Sequence, residues 1–376
     1  QQIVYEVINV NYFFSFLKKS KVNFFSGVPD SILKETKTIF ERMPDKNHVA
    51  AINEGVATSV CIGNHLATGN LPCVYLQNSG LGNAINPLIS IAHKQVYSVP
   101  LLLLIGWRGA PGQKDEPQHL IKGKITKKLL NNLNIKFCQL KNNRDLTKLR
   151  KLINYSKKNK KPIACLVKKG VFYNPKKIKK DIQEKGISRE IFIKRLLECI
   201  KKNTKIVSST GYISRELHQI RKEKKISAGK DFYMVGGMGH AASLALGVSI
   251  NDKKRHVICL DGDGALLMHL GSMANIGYYA KNNYKHIVLN NFSHESVGGQ
   301  KTNIDKVDLR QVSLGLGYKK YFYLHKESKI NTTVKRFLRS SGPTFLEVRI
   351  KKGSMKNLKR PKNLVFLKNE FMKNKI

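Results

Sequence analysis

Acidic residues are scarce in this chain: 25 Asp and Glu stand against 68 Lys and Arg over 376 residues, a formal charge of +43. Such an imbalance first suggests a nucleic-acid partner. The basic residues are mostly Lys, however, spread over expected helix faces and turns such as 176–180 and 222–225, with no interleaved aromatics to form a stacking platform. Lys, Asn and Ile are all abundant, so the expectation is a compositionally biased, solvated surface and no nucleic-acid partner. That basic envelope would still concentrate a multiply anionic substrate or a diphosphate. Long apolar runs are also missing. None approaches the roughly 18 residues that span a bilayer, and the longest, Val99 to Ile105, has the length of a buried strand. A basic-then-apolar leader is not visible at Gln1, and no membrane partner is expected. The six cysteines contain no C-x-x-C pair and several lie in apolar runs. This argues against a disulfide framework or a zinc site, and for a reducing, cytoplasmic setting. No G-x-G-x-x-G follows the first strand, which disfavours a nicotinamide-binding fold.

What is present is a chain 41% hydrophobic, enough for two cores of ordinary size. Short, often β-branched apolar runs alternate with helical stretches, the pattern of an α/β fold with parallel sheets. The first series of expected strands is 22–25, 48–52, 73–77, 101–105, 135–140 and 163–167. The second is 205–208, 232–235, 256–260, 286–289, 321–324 and 344–350. Helices are expected at 54–67, 191–201, 238–250 and, as one element, 265–280, while the basic tail from Lys351 has no assigned structure at its end. A polar, Lys-rich stretch broken by Pro175 separates the two series, giving domains over 1–170 and 187–376 joined by a linker at 171–186. No middle domain fits between them.

The most informative stretch is the strand His256–Leu260 running into Asp261-Gly262-Asp263-Gly264, then a helix, a strand, and Asn290-Asn291. A right-handed strand–helix–strand crossover sets both loops at the carboxyl edge of adjacent strands. Asp263 and Asn291 are therefore expected side by side although 28 positions separate them. A carboxylate, an amide oxygen and a backbone carbonyl are hard donors suited to octahedral Mg²⁺. The glycines admit a diphosphate close to the backbone, and the following helix N-terminus favours its charge. Taken alone, D-G-D-G would equally serve as a tight polar turn.

G-D-G followed a helix and a strand later by N-N resembles the cofactor motif of thiamine-diphosphate enzymes. That resemblance implies Mg²⁺ held by the side chains of Asp263 and Asn291 and the main-chain carbonyl of Ser293, with Gly262, Gly264 and Ala265 beside the diphosphate. The spacing is about one residue longer than in many relatives, so Asn290 stands as an alternative to Asn291. Glu54, at the first turn of a helix after the strand 48–52, could be simply a favourable dipole partner. The resemblance makes it the acid that protonates the aminopyrimidine ring nitrogen of the cofactor. It also makes Met238, in Gly237-Met238-Gly239, the apolar side chain under the bent cofactor.

Four further segments follow expected strands: Ser26–Ser31, Gln77–Asn83, Trp107–Gly112 with Asp115–His119, and Ser293–Gln300. Each alone reads as turn chemistry. Together, over most of the chain, they resemble the phosphonopyruvate decarboxylases and the related sulfopyruvate decarboxylases, whose short two-domain plan also matches. The implied activity is decarboxylation of an anionic 2-oxo acid. The single fused chain and the 294–300 loop favour 3-phosphonopyruvate over sulfopyruvate. Candidate anion-binding residues are Ser31, Ser79, Gly80, Asn83, Arg108, His294 and Ser296, and candidates for proton handling are Asp30 and His119. In this family one cofactor bridges two chains, so a homodimer or higher homo-oligomer is expected. A non-catalytic α/β module and a basic nucleic-acid-associated protein are the readings from other classes. The first is opposed by Glu54, Asp263 and Asn291.

Overall fold

A computed structural model describes residues 7–175, 186–224, 230–252 and 254–373. The chain divides into two compact units, Gln1–Lys180 with Val297–Gln300, and Asp181–Ser296 with Lys301–Ile376. Part of the expected linker, 176–185, lies outside the described residues, as do the basic runs at 176–180 and Lys225. Phe172–Tyr173, at the start of that linker, pairs in parallel with Ile8–Asn9.

The first unit is built on a six-stranded parallel sheet in the order His48–Ala50, Phe25–Gly27, Cys73–Gln77, Leu102–Gly106, Ile163–Val167, Lys136–Leu140. Its central strands are apolar throughout because both faces are covered. Tyr75, Leu102, Leu104 and Cys165 face one core with the helices Val10–Lys19 and Leu146–Asn159. Their neighbours Val74, Leu76, Leu103, Ile105 and Leu166 face another with the helix Glu54–Thr68. All of these side chains are almost wholly buried. Each contributes on the order of 1.5–3 kcal/mol, which is why successive rather than alternate residues are apolar.

The second unit repeats the plan with Phe232–Tyr233, Lys205–Ser208, Val257–Gly262, Tyr284–Asn290, Thr344–Arg349, Lys320–Leu324. Numbered along the chain, the strands of both sheets run 2-1-3-4-6-5. The order reverses between the first and third strands, so in each unit a crevice opens beyond their carboxyl ends. Here one face of the sheet is apolar, with Ile258, Leu260, Ile287, Leu289 and Leu346 in the core. The opposite face carries Cys259, Asp261, Tyr284 and His286, all buried.

Three elements differ from expectation. The helix expected at 265–280 is two, Asp263–Met268 and Ser272–Tyr279, interrupted at His269–Gly271. The break lets the chain pass Gly239, where a Cβ would overlap His269 and Met268. The helix expected from Met238 starts at Ala241, because Gly237 and Gly239 adopt φ of +70° and +90°. The tail forms a helix, Leu364–Lys373, anchored by buried Leu367 and Phe371. No helix among the described residues is long and apolar enough to cross a membrane, and all six cysteines are free thiols.

One histidine couples the first unit to pH. His48 stacks on Phe40 at 4.8 Å and meets the Tyr75 hydroxyl at 2.9 Å, and burial lowers its pKa to about 4. Between that value and the ordinary 6.5, the unfolded chain binds a proton that the folded one refuses. Stability is therefore complete above pH 6.5 and falls as pH drops toward 4, by about 1–3 kcal/mol in all. The difference between urea midpoints at pH 7.5 and 4.5 should shrink in His48→Gln; an unchanged difference would assign the acid sensitivity elsewhere.

Candidate active site

Glu54 opens the helix Glu54–Thr68, whose N-cap Asn53 accepts from the Val56 N–H. Only 4% of Glu54 is exposed. Burial raises its pKa, while the hydrogen bond from Asn83 Nδ2 to Oε2 at 2.8 Å and the charge of Lys122 work the other way. Burial of this kind favours the protonated form of the carboxyl. Asn83, expected at the substrate, is thus placed on Glu54. Gly80 lies against the same carboxyl: a methyl group there would overlap Glu54 Oε1. Gly80→Ala should therefore displace the Glu54 carboxyl, and if that carboxyl handles a proton, turnover should fall by about 10²-fold. Melting temperature should fall modestly, the cost of overpacking a buried contact. Wild-type turnover in Gly80→Ala would show that Glu54 tolerates displacement.

Beyond the first strand of this sheet lies Asp30, 2% exposed. Its Oδ2 accepts from the Ile32 and Leu33 N–H groups at 3.1 and 3.2 Å, and Oδ1 is buried without a partner. Burial lifts its pKa to about 6 against those bonds and the charge of Arg108. Gly106 has no side chain because one would overlap this carboxylate.

Arg108 is already engaged. Its Nε and Nη2 grip Asp115 as a two-pronged pair, with Nε to Oδ2 at 2.7 Å, and Nη1 donates to Ser31 Oγ at 2.9 Å. Burial opposes charge on Asp115, but the guanidinium and the N–H groups of Glu116 and Gly109 hold its carboxyl well below the usual range. This clamp closes the loop 108–115 ahead of the helix Pro117–Asn132, whose first turn carries His119 against Gly109. Asn78 braces the same loop through the Arg108 backbone at 2.9 and 3.1 Å. Ser79 accepts from Gln77 at 2.7 Å.

In the second unit, Asp263 begins a helix at the end of Val257–Gly262 and is 3% exposed. Burial raises its pKa to about 6, against hydrogen bonds from Thr302 Oγ1 at 2.8 Å and from the Gly264 and Ser293 N–H groups. The Ser293 N–H also lies 3.1 Å from Asn291 Oδ1. One backbone amide therefore gathers the Asp263 carboxylate and the Asn291 oxygen from the ends of adjacent strands. Phe292 makes this turn with φ of +57°, unusual for a bulky side chain, and the Arg349 guanidinium stacks 3.8 Å from its ring. Asn290 is occupied otherwise: its amide spans to Glu347 Oε1 at 2.8 Å.

This donor set suits a hard divalent cation. Among the described residues no Lys or Arg is paired with the buried Asp263 carboxylate, and the neighbouring Ser293 Oγ is buried without a partner. All the donors are oxygens. Gly264 carries no side chain because His294 lies over it. Burial takes the pKa of His294 down to about 4, so near neutral pH this imidazole is an uncharged donor. Ala265 is buried next to the helix start, Met238 sits half-buried between its two left-handed glycines, and Ser296 approaches Gly211.

Several site residues had no sequence signal of their own. Asp115 stands in a recognised segment, but nothing local marks it as the partner of Arg108. Glu295, Arg189 and Thr302 act through contacts across 4, 106 and 39 positions. Behind Asp261, His286 Nε2 and Asp261 Oδ2 face each other at 3.7 Å, and His286 Nδ1 meets Tyr318 OH at 2.8 Å. That network is invisible in strand patterning because it occupies apolar-looking positions.

Comparison with known proteins bears on both units. Residues 10–130 match the thiamine pyrophosphate enzyme N-terminal TPP binding domain, and 209–348 match the C-terminal TPP binding domain. The chain is 34% identical to a phosphonopyruvate decarboxylase of Streptomyces viridochromogenes over 90% of its own length and 87% of the relative's. It is 33% identical to the enzyme of that name from Streptomyces hygroscopicus, over 90% and 86%. A sulfopyruvate decarboxylase of Methanosarcina acetivorans is 25% identical over 90% of each chain.

Proposed function

Because the chain belongs to the thiamine pyrophosphate enzymes, in the decarboxylase branch of the phosphonopyruvate and sulfopyruvate enzymes, we propose that it converts 3-phosphonopyruvate into phosphonoacetaldehyde and CO₂. The observation that carries the reading is the gathering of Asp263 and Asn291 on one backbone amide, in a chain that also buries Glu54 at a helix start. Phosphonate is favoured over sulfonate by the higher identity, 34% against 25%, at the same 90% coverage of this chain.

In this reading residues 1–170 hold the pyrimidine half of the cofactor and 187–376 the diphosphate half. Asp263 and Asn291, with the Ser293 carbonyl, hold Mg²⁺, and Gly262, Gly264 and Ala265 let the diphosphate approach the helix start. Asn291 is preferred to Asn290 because the Ser293 N–H draws its Oδ1 and the Asp263 carboxylate together, whereas Asn290 Oδ1 accepts from the Phe292 N–H. When bound, thiamine diphosphate supplies the electron sink for departure of CO₂. Glu54 holds a proton at the pyrimidine nitrogen, and Asn83 and Gly80 fix its carboxyl. Met238, after Gly237, would supply an apolar contact to the cofactor. His294 donates to the phosphonate as a neutral imidazole, together with the amides and hydroxyls around Ser79, Gly80 and Ser296. Arg108 contributes the N–H groups left after Asp115 and Ser31 have taken three of its five. Asp30, with its pKa near 6, and His119 move the proton at the reacting carbon. The active assembly is a homodimer or larger homo-oligomer in the cytoplasm, consistent with six free thiols.

Purified protein given Mg²⁺, thiamine diphosphate and phosphonopyruvate should release CO₂ and phosphonoacetaldehyde in equal amounts. Turnover of sulfopyruvate with none of phosphonopyruvate would move the assignment to the sulfonate, and turnover of neither would remove it.

A further inference from the structure

We propose that Glu295, itself held by Arg189, is a positioning residue that turns the Asn291 amide so that its oxygen, not its nitrogen, faces the cation. The proposal rests on the magnesium site described above and adds what orients its neutral ligand. An asparagine amide has an acceptor end and a donor end, related by a half-turn of the side chain. Only the acceptor end can ligate a metal.

Glu295 removes the choice. Its Oε2 accepts from Asn291 Nδ2 at 3.0 Å and from Arg189 Nη2 at 2.6 Å, and its Oε1 accepts from the Gly353 N–H. An ionised carboxylate offers acceptors only, so the flipped amide would set oxygen against oxygen. With nitrogen committed to Glu295, Oδ1 is left toward the Ser293 N–H and Asp263.

Arg189 keeps Glu295 in place. It is 4% exposed, at the start of the helix Arg189–Cys199. Its Nη1 donates to Glu216 Oε1 at 3.1 Å and to the Gly353 carbonyl at 3.0 Å. Glu216 is fully buried and also accepts from the Met355 N–H at 3.1 Å. A line of polar contacts therefore runs from the metal loop through Glu295 and Arg189 to the helix Tyr212–Glu223. Partners of this kind behind a metal ligand typically change affinity by about 10–100-fold when removed.

The test is a double-mutant cycle read by Mn²⁺ affinity in the presence of thiamine diphosphate, followed by electron paramagnetic resonance. Wild-type protein should bind; absence of binding there would sink the magnesium site itself and leave Glu295 aside. Glu295→Gln puts an NH₂ where one oxygen was, no longer enforces the amide orientation, and should weaken Mn²⁺ about 10–100-fold. With Asn291→Asp both ends of the ligand are oxygen, so orientation no longer matters. Adding Glu295→Gln in that background should change affinity less than twofold. A purely structural role would weaken binding equally in both backgrounds, and that result, or unaltered affinity in Glu295→Gln alone, overturns the proposal. If circular dichroism shows Glu295→Gln to be unfolded, Arg189→Lys replaces it in the same cycle with the same expected asymmetry.

Discussion

Glu54→Gln should lower kcat by about 10²–10⁴-fold while thiamine diphosphate binds within about threefold of wild type. Glutamine keeps the length of the side chain, its place at the helix start and an acceptor for Asn83 Nδ2. It loses only the exchangeable proton. The surroundings of Glu54 are arranged to retain that proton. The carboxyl is removed from water, Gly80 is pressed against it, and the hydrogen bonds from Asn83 and the Glu54 backbone, with the charge of Lys122, do not offset the burial that raises its pKa. A kcat measurement with a parallel cofactor titration separates the outcomes. Near-wild-type turnover would take the acid role away from Glu54, and a matching loss of cofactor affinity would recast it as a binding residue.

Asp263→Asn is expected to have opposite effects on activity and on stability without cofactor. The carboxylate is 3% exposed and its pKa is displaced from 3.8 to about 6. A carboxyl raised on folding binds protons more tightly in the folded chain, so stability falls as pH rises from 3.8 to 6. Above that window the buried charge costs about 3 kcal/mol in the absence of a cation. Asparagine removes the charge and still accepts from Thr302, so the metal-free melting temperature at pH 7.5 should rise. The gain in melting temperature that wild type shows on adding Mg²⁺ and thiamine diphosphate should disappear, and turnover should fall by at least ~10²-fold, as for loss of a major electrostatic stabiliser. A metal-dependent shift of wild-type size in Asp263→Asn would place the ion elsewhere.

These expectations draw unequally on sequence and structure. Strand positions were legible: Cys73–Gln77, Ile163–Val167 and Lys205–Ser208 have the bounds read from apolar runs. The reason is that parallel strands covered on both faces are mostly apolar along their length, which leaves a local mark. The long helix after Asp263 was misread because its interruption answers to Gly239, 30 positions away from His269, and not to any proline within it. Arg108, expected at an anion, gives three of its five N–H groups to Asp115 and Ser31, a commitment the sequence does not show. Arg108 and Asp115 both lie in segments recognisable as strand-end loops, but a loop sequence does not say which charge it will fold back upon.

Two parallel α/β domains, the D-G-D-G to N-N spacing and the acid at the start of a helix were all determined by the sequence alone. Each is a local pattern whose periodicity or spacing directly reflects backbone geometry. Tertiary structure decided which asparagine faces Asp263, which carboxylate holds Arg108, and how Arg189 reaches Glu295 across 106 positions. Those choices depend on the directions of side chains brought together by packing. A hydrogen bond requires about 3 Å and a defined angle between groups that the linear chain leaves far apart.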